Sequence, residues 1–385
     1  MRENHGSLKL ITTKRLFLNI FLLLIASSNF TLNAQNNKLK PGFDKSEYIE
    51  LLRMHVLLYD STKADTAKPK TVIPKPAHYK PVYASPAMGL DNKWALWKSN
   101  AHPIAVINIR GTTLNPVGWL ENFYAAMVPA RGELTLSKDF TFQYHLADDA
   151  KAAVHIGWLV GTAFLARDIV PKIDSCYKAG IKEFLVMGHS QGGAITFLLT
   201  SHLYNLQKQN KLPQDIQFKT YCSASPKAGN TYYAYEYENL IGGGWGFNVV
   251  NAADWVPEVP FSVQTLEDFN ETNPFKNIDP VIKKQKLLAR LALRHAYKRM
   301  KNPSKKAQKN YQKYLGDYAS KAIIKNLPEF QPPVYFKSNN YVRIGPTIAL
   351  LPDAEYYKQF PDSNKDIFVH HLMGPYLYLI QQYKH

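Results

Sequence analysis

The sequence predicts an α/β fold, with a mostly parallel central sheet flanked by helices, on three observations. Short β-branched or apolar segments alternate with longer stretches of helical spacing, as crossovers between parallel strands require. One such segment, 183–187, runs through a glycine cluster directly into an apolar stretch, 194–203, long enough for a helix packed on a sheet. Finally, 385 residues with 45% hydrophobic content can bury one large core or two modest ones.

The elements follow in chain order. Lys9, Lys14 and Arg15 precede LFLNIFLLLIA (16–26), and polar residues then lead to Asn33-Ala34-Gln35. This is a signal-peptide pattern over 1–34, with an apolar block short for a membrane span; it implies a secreted or periplasmic domain over 35–385, the alternative being a retained N-terminal anchor. No later stretch reads as transmembrane. Asp44-Lys45-Ser46-Glu47 ahead of YIELLRMHVLLYD predicts a capped helix. The Lys-, Pro- and Thr-rich stretch 61–81 predicts an extended surface crossing. IAVINI (104–109) predicts a central strand that runs into the loop Arg110-Gly111-Thr112-Thr113. A helix over 158–180 delivers the chain to the strand at 183–187, and IQFKTYCSASP and FNVVNAADWVPEVP predict two more strands ending in loops. An aromatic-rich helix closes the chain within 366–383.

The formal net charge of +17 is concentrated: between Lys276 and Lys325 there are fifteen Lys or Arg and two Asp. Asp279-Pro280 predicts a helix start. Leu287, Leu288, Leu291, Leu293, Tyr297 and Met300 then recur at helical intervals among the basic residues. Asn302-Pro303-Ser304 predicts a break, with a second helix over 305–326, so that about 276–330 forms a basic helical insertion. For a chain that leaves the cytoplasm, such a segment points to anionic lipids or polysaccharides in preference to nucleic acid, with a solvated helical face as the commonest explanation of such a run. The two cysteines, Cys176 and Cys222, read as packed thiols in preference to a bridge. No cluster of Cys and His ligands and no acidic calcium loop is present, and the chemistry below requires no metal or other cofactor.

Between strand and helix, Gly188-x-Ser190-x-Gly192 matches a nucleophile elbow, a turn so tight that residues flanking the serine must lack bulky side chains. A serine hydroxyl is a poor nucleophile until a base takes its proton, and an imidazole base needs a third group to fix its tautomer. In this kind of sheet the partners follow the serine, acid first and histidine last. Asp254, beyond the strand FNVVNAA, is the best-placed acid, with Asp268, Asp279 and Asp362 as competitors. His370 and His371 are adjacent candidates for the base. His155 precedes the serine and reads as a satisfied core residue, and His189 should pack inside the elbow. The oxyanion needs two N–H donors. Gln191 supplies one from its backbone, and Thr112 can supply its N–H and hydroxyl. Arg110 reads as an ion pair that ties down the Thr112 loop.

These motifs together resemble the class 3, or fungal-type, lipase family. The resemblance runs over about 104–260 and returns at 366–383. It rests on INIRGT, Trp119, AVHIGW, GHSQGG, SPKAGN (225–230), DWVPEVP and HLMGPY. It implies an α/β-hydrolase fold, a carboxylic-ester hydrolase acting on lipid esters, Ser190 as nucleophile, Asp254 as acid, Thr112 in the oxyanion hole and a candidate mobile lid around Trp119. A tyrosine five residues after His371 favours His371 over His370. Two features depart from the family: Gln191 stands where leucine is usual, and the insertion lengthens the interval between Asp254 and His371 to 117 positions. A phospholipase or an esterase on acylated polysaccharide would use the same triad. A membrane-binding protein on a hydrolase scaffold is the reading from another class.

Overall fold

A computed structural model describes residues 39–59, 73–276 and 278–384. All elements below belong to the unit Pro41–His385. The segment read as a signal peptide lies outside the described residues, as does the first part of the surface crossing, 61–72.

Helix α1 (Lys45–Val56) starts at Asp44, whose side chain accepts the Ser46 and Glu47 N–H groups. Strands β1 (Tyr79–Ala84), β2 (Trp94–Ser99) and β3 (Ile104–Ile109) precede the short helix α2 (Pro116–Phe123). Then come β4 (Met127–Pro129), β5 (Arg131–Ser137), β6 (Phe140–His145), β7 (Ala153–His155) and the long helix α3 (Ile156–Lys178). The elbow region is β8 (Glu183–His189) and α4 (Gln191–Lys208), followed by β9 (Gln217–Ser223), β10 (Gly229–Asn230), α5 (Thr231–Leu240) and β11 (Gly246–Asn251). The insertion comprises α6 (Asp279–Lys283), α7 (Leu287–Gln312), a π-helical stretch (Lys313–Tyr318) and α8 (Ala319–Asn326). The chain ends with β12 (Tyr341–Val342), β13 (Thr347–Leu350), α9 (Ala354–Gln359) and α10 (Met373–Gln382).

The seven-stranded sheet has the order β1-β2-β3-β8-β9-β11-β13. Strands β3, β8, β9, β11 and β13 pair in parallel, and β2 runs antiparallel to both its neighbours. Strands covered on both faces need near-continuous apolar runs, and all six residues of β3 and all of β8 after Glu183 are buried. Helices α3 and α4 pack together beside this sheet. The consequence for function is geometric: the carboxyl ends of β3, β8, β9 and β11 lie along one edge, where Thr112, Ser190 and Asp254 follow their strands. This is the α/β-hydrolase architecture implied by the motifs. Cys176 and Cys222 are both buried and unpaired. Among the described residues no helix is long and apolar enough to cross a membrane.

The insertion corrects the sequence reading. Helix α7 runs unbroken through Asn302-Pro303-Ser304 instead of stopping there. Pro303 forfeits one backbone donor, but Gln308 is the one buried residue of α7, so water can take the place of the missing bond. The apolar repeat is also unpacked: Leu288 is 81% and Met300 69% exposed. The insertion is rooted farther on, where Ala126 N–H donates to Leu315 O at 3.1 Å and the side chain of Ile323 is buried. Because a proline inside a helix costs about 3 kcal/mol relative to alanine, Pro303→Ala should slow amide exchange on both sides of position 303 without changing the rest of the chain. Unchanged exchange would show that the helix is already broken there.

Candidate active site

The reversal from β8 to α4 leaves a single residue to turn the chain. Ser190 takes φ 61° and ψ −132°, a region that costs a side-chain-bearing residue about 1–3 kcal/mol. Its N–H donates to Ser223 O at 2.9 Å, and its carbonyl accepts the Gly193 and Ala194 N–H groups at 2.9 and 3.2 Å. Glycine is required on either side because a Cβ on Gly188 would strike the Gly192 carbonyl, and one on Gly192 would strike the Ile109 carbonyl. The Ser190 hydroxyl makes no cap hydrogen bond to its own helix.

The loop after β11 and the loop before α10 bring Asp254 and His371 together. His371 Nδ1–H donates to Asp254 Oδ2 at 2.7 Å, which leaves Nε2 as the ring's lone-pair nitrogen. Asp254, 2% exposed, also accepts the Tyr376 hydroxyl at 2.8 Å and the Val256 N–H at 3.0 Å. Tyr376 in turn accepts the Asn251 N–H at 3.1 Å. The adjacent His370 turns the other way: its Nε2–H donates to Asp362 at 2.9 Å, and Tyr356 O–H donates to its Nδ1 at 2.8 Å. The two histidines and two of the competing acids are thereby sorted into separate pairs.

His189 links this loop to the elbow. Its Nε2–H donates to His371 O at 2.8 Å, and its Nδ1 accepts the Ser223 hydroxyl, which accepts from Tyr48 O–H. Burial, then the neighbouring His371 and His55, holds the His189 pKa well below the usual histidine range, so the ring stays neutral and this donor pattern is fixed. The His189 and His371 rings lie 4.9 Å apart between centroids, which sets His371 beside the residue preceding Ser190. Ser190 and His371 themselves are not hydrogen-bonded.

On the other side, the loop after β3 crosses the elbow so closely that a Cβ on Gly111 would come within 3.1 Å of Ser190 Cβ. Arg110 pairs with Asp91 at 3.0 Å, and Thr113 O–H donates to the same carboxylate at 2.8 Å, fixing that loop. Among the described residues neither the Thr112 nor the Gln191 N–H is spent on a backbone hydrogen bond. The Thr112 hydroxyl differs from expectation: its proton goes to Gln191 Oε1, while Oγ1 accepts from Asn122 Nδ2 at 3.0 Å. His155 also differs in part. It caps α3 and stacks on Trp158, with centroids 3.6 Å apart, but among the described residues its Nε2 has no hydrogen-bond partner.

Exposed apolar side chains surround this edge: Leu114 just before α2 and Phe123 at its end, and Trp255, Ile367 and Leu372 beside the His371 loop. Phe368 touches Trp119, Trp255 and His371 at centroid separations of 6.1, 5.5 and 5.8 Å. Trp119 therefore sits on α2 in contact with the His371 loop.

Sequence reasoning did not find Glu121. It lies on the inner face of α2, fully buried, and accepts Asn92 Nδ2 and Gln191 Nε2, each at 2.6 Å. Its one sequence signal is a lone acid in WLENF. Burial pushes its pKa up to about 8, with the two amide donors opposing and Asp91 adding to the shift. Since the folded value exceeds the unfolded one, the stability that this proton confers is complete below about pH 4.5 and is lost as pH rises toward 8. Denaturation midpoints of the native chain should therefore fall relative to Glu121→Gln across that window. A constant difference would mean that the carboxyl titrates at its ordinary position.

A comparison with curated proteins finds no match. Solved structures of similar fold include a lipase from Rhizopus microsporus var. chinensis, 24% identical over 48% of this chain and 57% of its own, with a TM-score of 0.34. The Rhizomucor miehei lipase in its propeptide complex is 18% identical over 57% of this chain and 65% of its own, with a TM-score of 0.41. Lipase II from Rhizopus niveus is 22% identical over 56% of this chain and 74% of its own, with a TM-score of 0.38. The chain thus spans less than two thirds of the first two. The stretch holding β3, α2, the elbow and Asp254 matches a family model, lipase (class 3), over residues 106–264. Over that stretch the chain is similar to the class 3 lipase family.

Proposed function

We propose that this chain is a secreted serine hydrolase that cleaves lipid carboxylic esters through an acyl-Ser190 intermediate. The observation that carries the reading is the buried Asp254–His371 hydrogen bond held beside a strained, uncapped Ser190. In this mechanism His371 Nε2 takes the Ser190 proton as Oγ attacks the acyl carbonyl carbon. The N–H groups of Gln191 and Thr112 receive the developing oxyanion. Asp254 stabilises the imidazolium without itself becoming protonated. His371 then gives its proton to the departing alcohol. Water enters, loses a proton to Nε2 and attacks the acyl carbon; the proton returns to Ser190 as the acid leaves. Tyr376, which donates to Asp254, keeps the carboxylate oriented toward Nδ1. The exposed aromatic and aliphatic side chains around Trp119 and Phe368 supply an apolar approach for an acyl chain, with α2 as the candidate lid. A phospholipase, or an esterase on acylated polysaccharide, would employ the same groups.

The insertion gives this enzyme a means of reaching its substrate. In α7, Leu287, Leu288, Leu291, Leu293 and Met300 are exposed among Lys and Arg. A solvated helix has no use for an apolar stripe, whereas a helix lying in a membrane interface does. Each basic residue near an anionic leaflet contributes about 1 kcal/mol. We assign α7 to docking on anionic lipid.

Two measurements test these readings. Ser190→Ala should lower ester turnover by about 10⁴- to 10⁶-fold with the fold intact, and fluorophosphonate should label the native chain alone; comparable turnover in the variant sinks the reading. In sedimentation with vesicles, the full chain should bind phosphatidylcholine mixed with phosphatidylglycerol more tightly than phosphatidylcholine alone. Leu288→Ser with Leu291→Ser, or raised salt, should weaken that binding. Equal binding by native and variant chains would remove α7 from the account.

A further inference from the structure

Beside the Ser190 elbow lies a buried polar chain that the proposed reaction does not use directly. Gln191 follows Ser190 in sequence, and its backbone N–H is one of the two oxyanion donors of that reading. The residue is 4% exposed, and its side chain acts as a crosspiece. At one end Nε2 donates to Glu121 Oε2, and at the other Oε1 accepts the hydroxyl of Thr112, the residue assigned as the second donor. Glu121 is held in turn by Asn92 through its second oxygen, and Thr112 by Asn122, whose Oδ1 accepts Trp158 Nε1–H at 2.9 Å.

We propose that Glu121 is a positioning residue for the oxyanion site, acting through the Gln191 side chain to fix the spacing between the Gln191 and Thr112 backbone donors. The proposal rests on the reading of Ser190 as nucleophile. A carboxyl group fully removed from water, with no cation bonded to it, is a standing cost to the fold, and an apolar pair at 121 and 191 would fill the same space without it. What the apolar pair would lack is a rigid tie between two loops that come from different strands. Oxyanion donors act only within a few tenths of an ångström of the developing charge, so such a tie bears on turnover more than on substrate binding. It also gives glutamine at 191 a purpose that leucine cannot serve.

The test compares Glu121→Leu, Glu121→Gln, Gln191→Leu and the Leu/Leu double variant with the native chain, each normalised to its active fraction by fluorophosphonate titration. On a soluble short-chain ester, Glu121→Leu should lower kcat by about 10- to 100-fold, less than the loss of a whole oxyanion donor, with KM within about twofold. Affinity for an alkylboronic acid, which forms a tetrahedral adduct, should fall by the same factor. Glu121→Gln keeps an acceptor for Gln191 and should recover most of both. The double variant should lose no more than Gln191→Leu alone, because both cut one tie. Variants whose normalised kcat and boronate affinity match the native values, or a Glu121→Gln no better than Glu121→Leu, overturn the proposal. If the native chain itself takes no fluorophosphonate, the assignment of Ser190 fails, and this proposal fails with it; labelled native protein with unaffected Glu121 variants fails this proposal alone.

Discussion

Most of the site follows from the backbone reversal at Ser190. A serine held at positive φ is tolerable only if its surroundings leave the chain no alternative. They do so from three sides: the Ser223 carbonyl holds its N–H, the first turn of α4 holds its carbonyl, and the Ile109 backbone presses on Gly192. The first and last of those contacts extend strand neighbours past the strand ends. The seven-stranded core therefore supplies the strain energy, and the elbow converts it into an outward-facing hydroxyl at a helix N-terminus. Relaxing the elbow would also displace the Gln191 N–H, since that residue begins α4.

The loops above the elbow are held by buried, hydrogen-bonded polar groups. His189, kept neutral, has only one donor and one acceptor to offer, and both are used, on His371 O and Ser223 Oγ. Asp254 is held differently: three donors surround its buried carboxylate and satisfy its oxygens. The pairing of His370 with Asp362 and Tyr356 completes the arrangement, because it commits the second histidine elsewhere and leaves His371 to the inward position.

The parts of the fold legible in the sequence are those set by local rules. Alternating strands and helices, the glycine spacing around Ser190 and the order of acid and histidine all follow from short-range geometry and topology, and the structure has each of them. The choice between His370 and His371 lay beyond residue-level reading, because both sit in one loop and only the tertiary positions of Asp254 and Asp362 separate them. Glu121 was not legible for a similar reason: a single acid in an amphipathic helix ordinarily faces water, and its burial depends on Asn92 and Gln191, distant in sequence. The unbroken course of α7 through Pro303 escaped notice because the rule that proline ends a helix assumes that the lost hydrogen bond cannot be replaced by water.

Helix α2 is where these separate features meet. Its inner face carries Glu121 into the polar chain beside Ser190, and its Trp119 touches Phe368 of the His371 loop. Its backbone is clamped against α3 so tightly that a Cβ on Gly157 would overlap the Glu121 carbonyl, and α8, the root of the insertion, packs along it. The C-terminal end of α2 is clamped in this way, whereas Leu114, just ahead of its start, is 75% exposed. As the candidate lid, α2 would open from that exposed end and leave Glu121 and Gln191 in register. A helix fixed at Glu121 and opened from its start would meet two demands at once, access for a bulky apolar substrate and a constant geometry at the oxyanion donors.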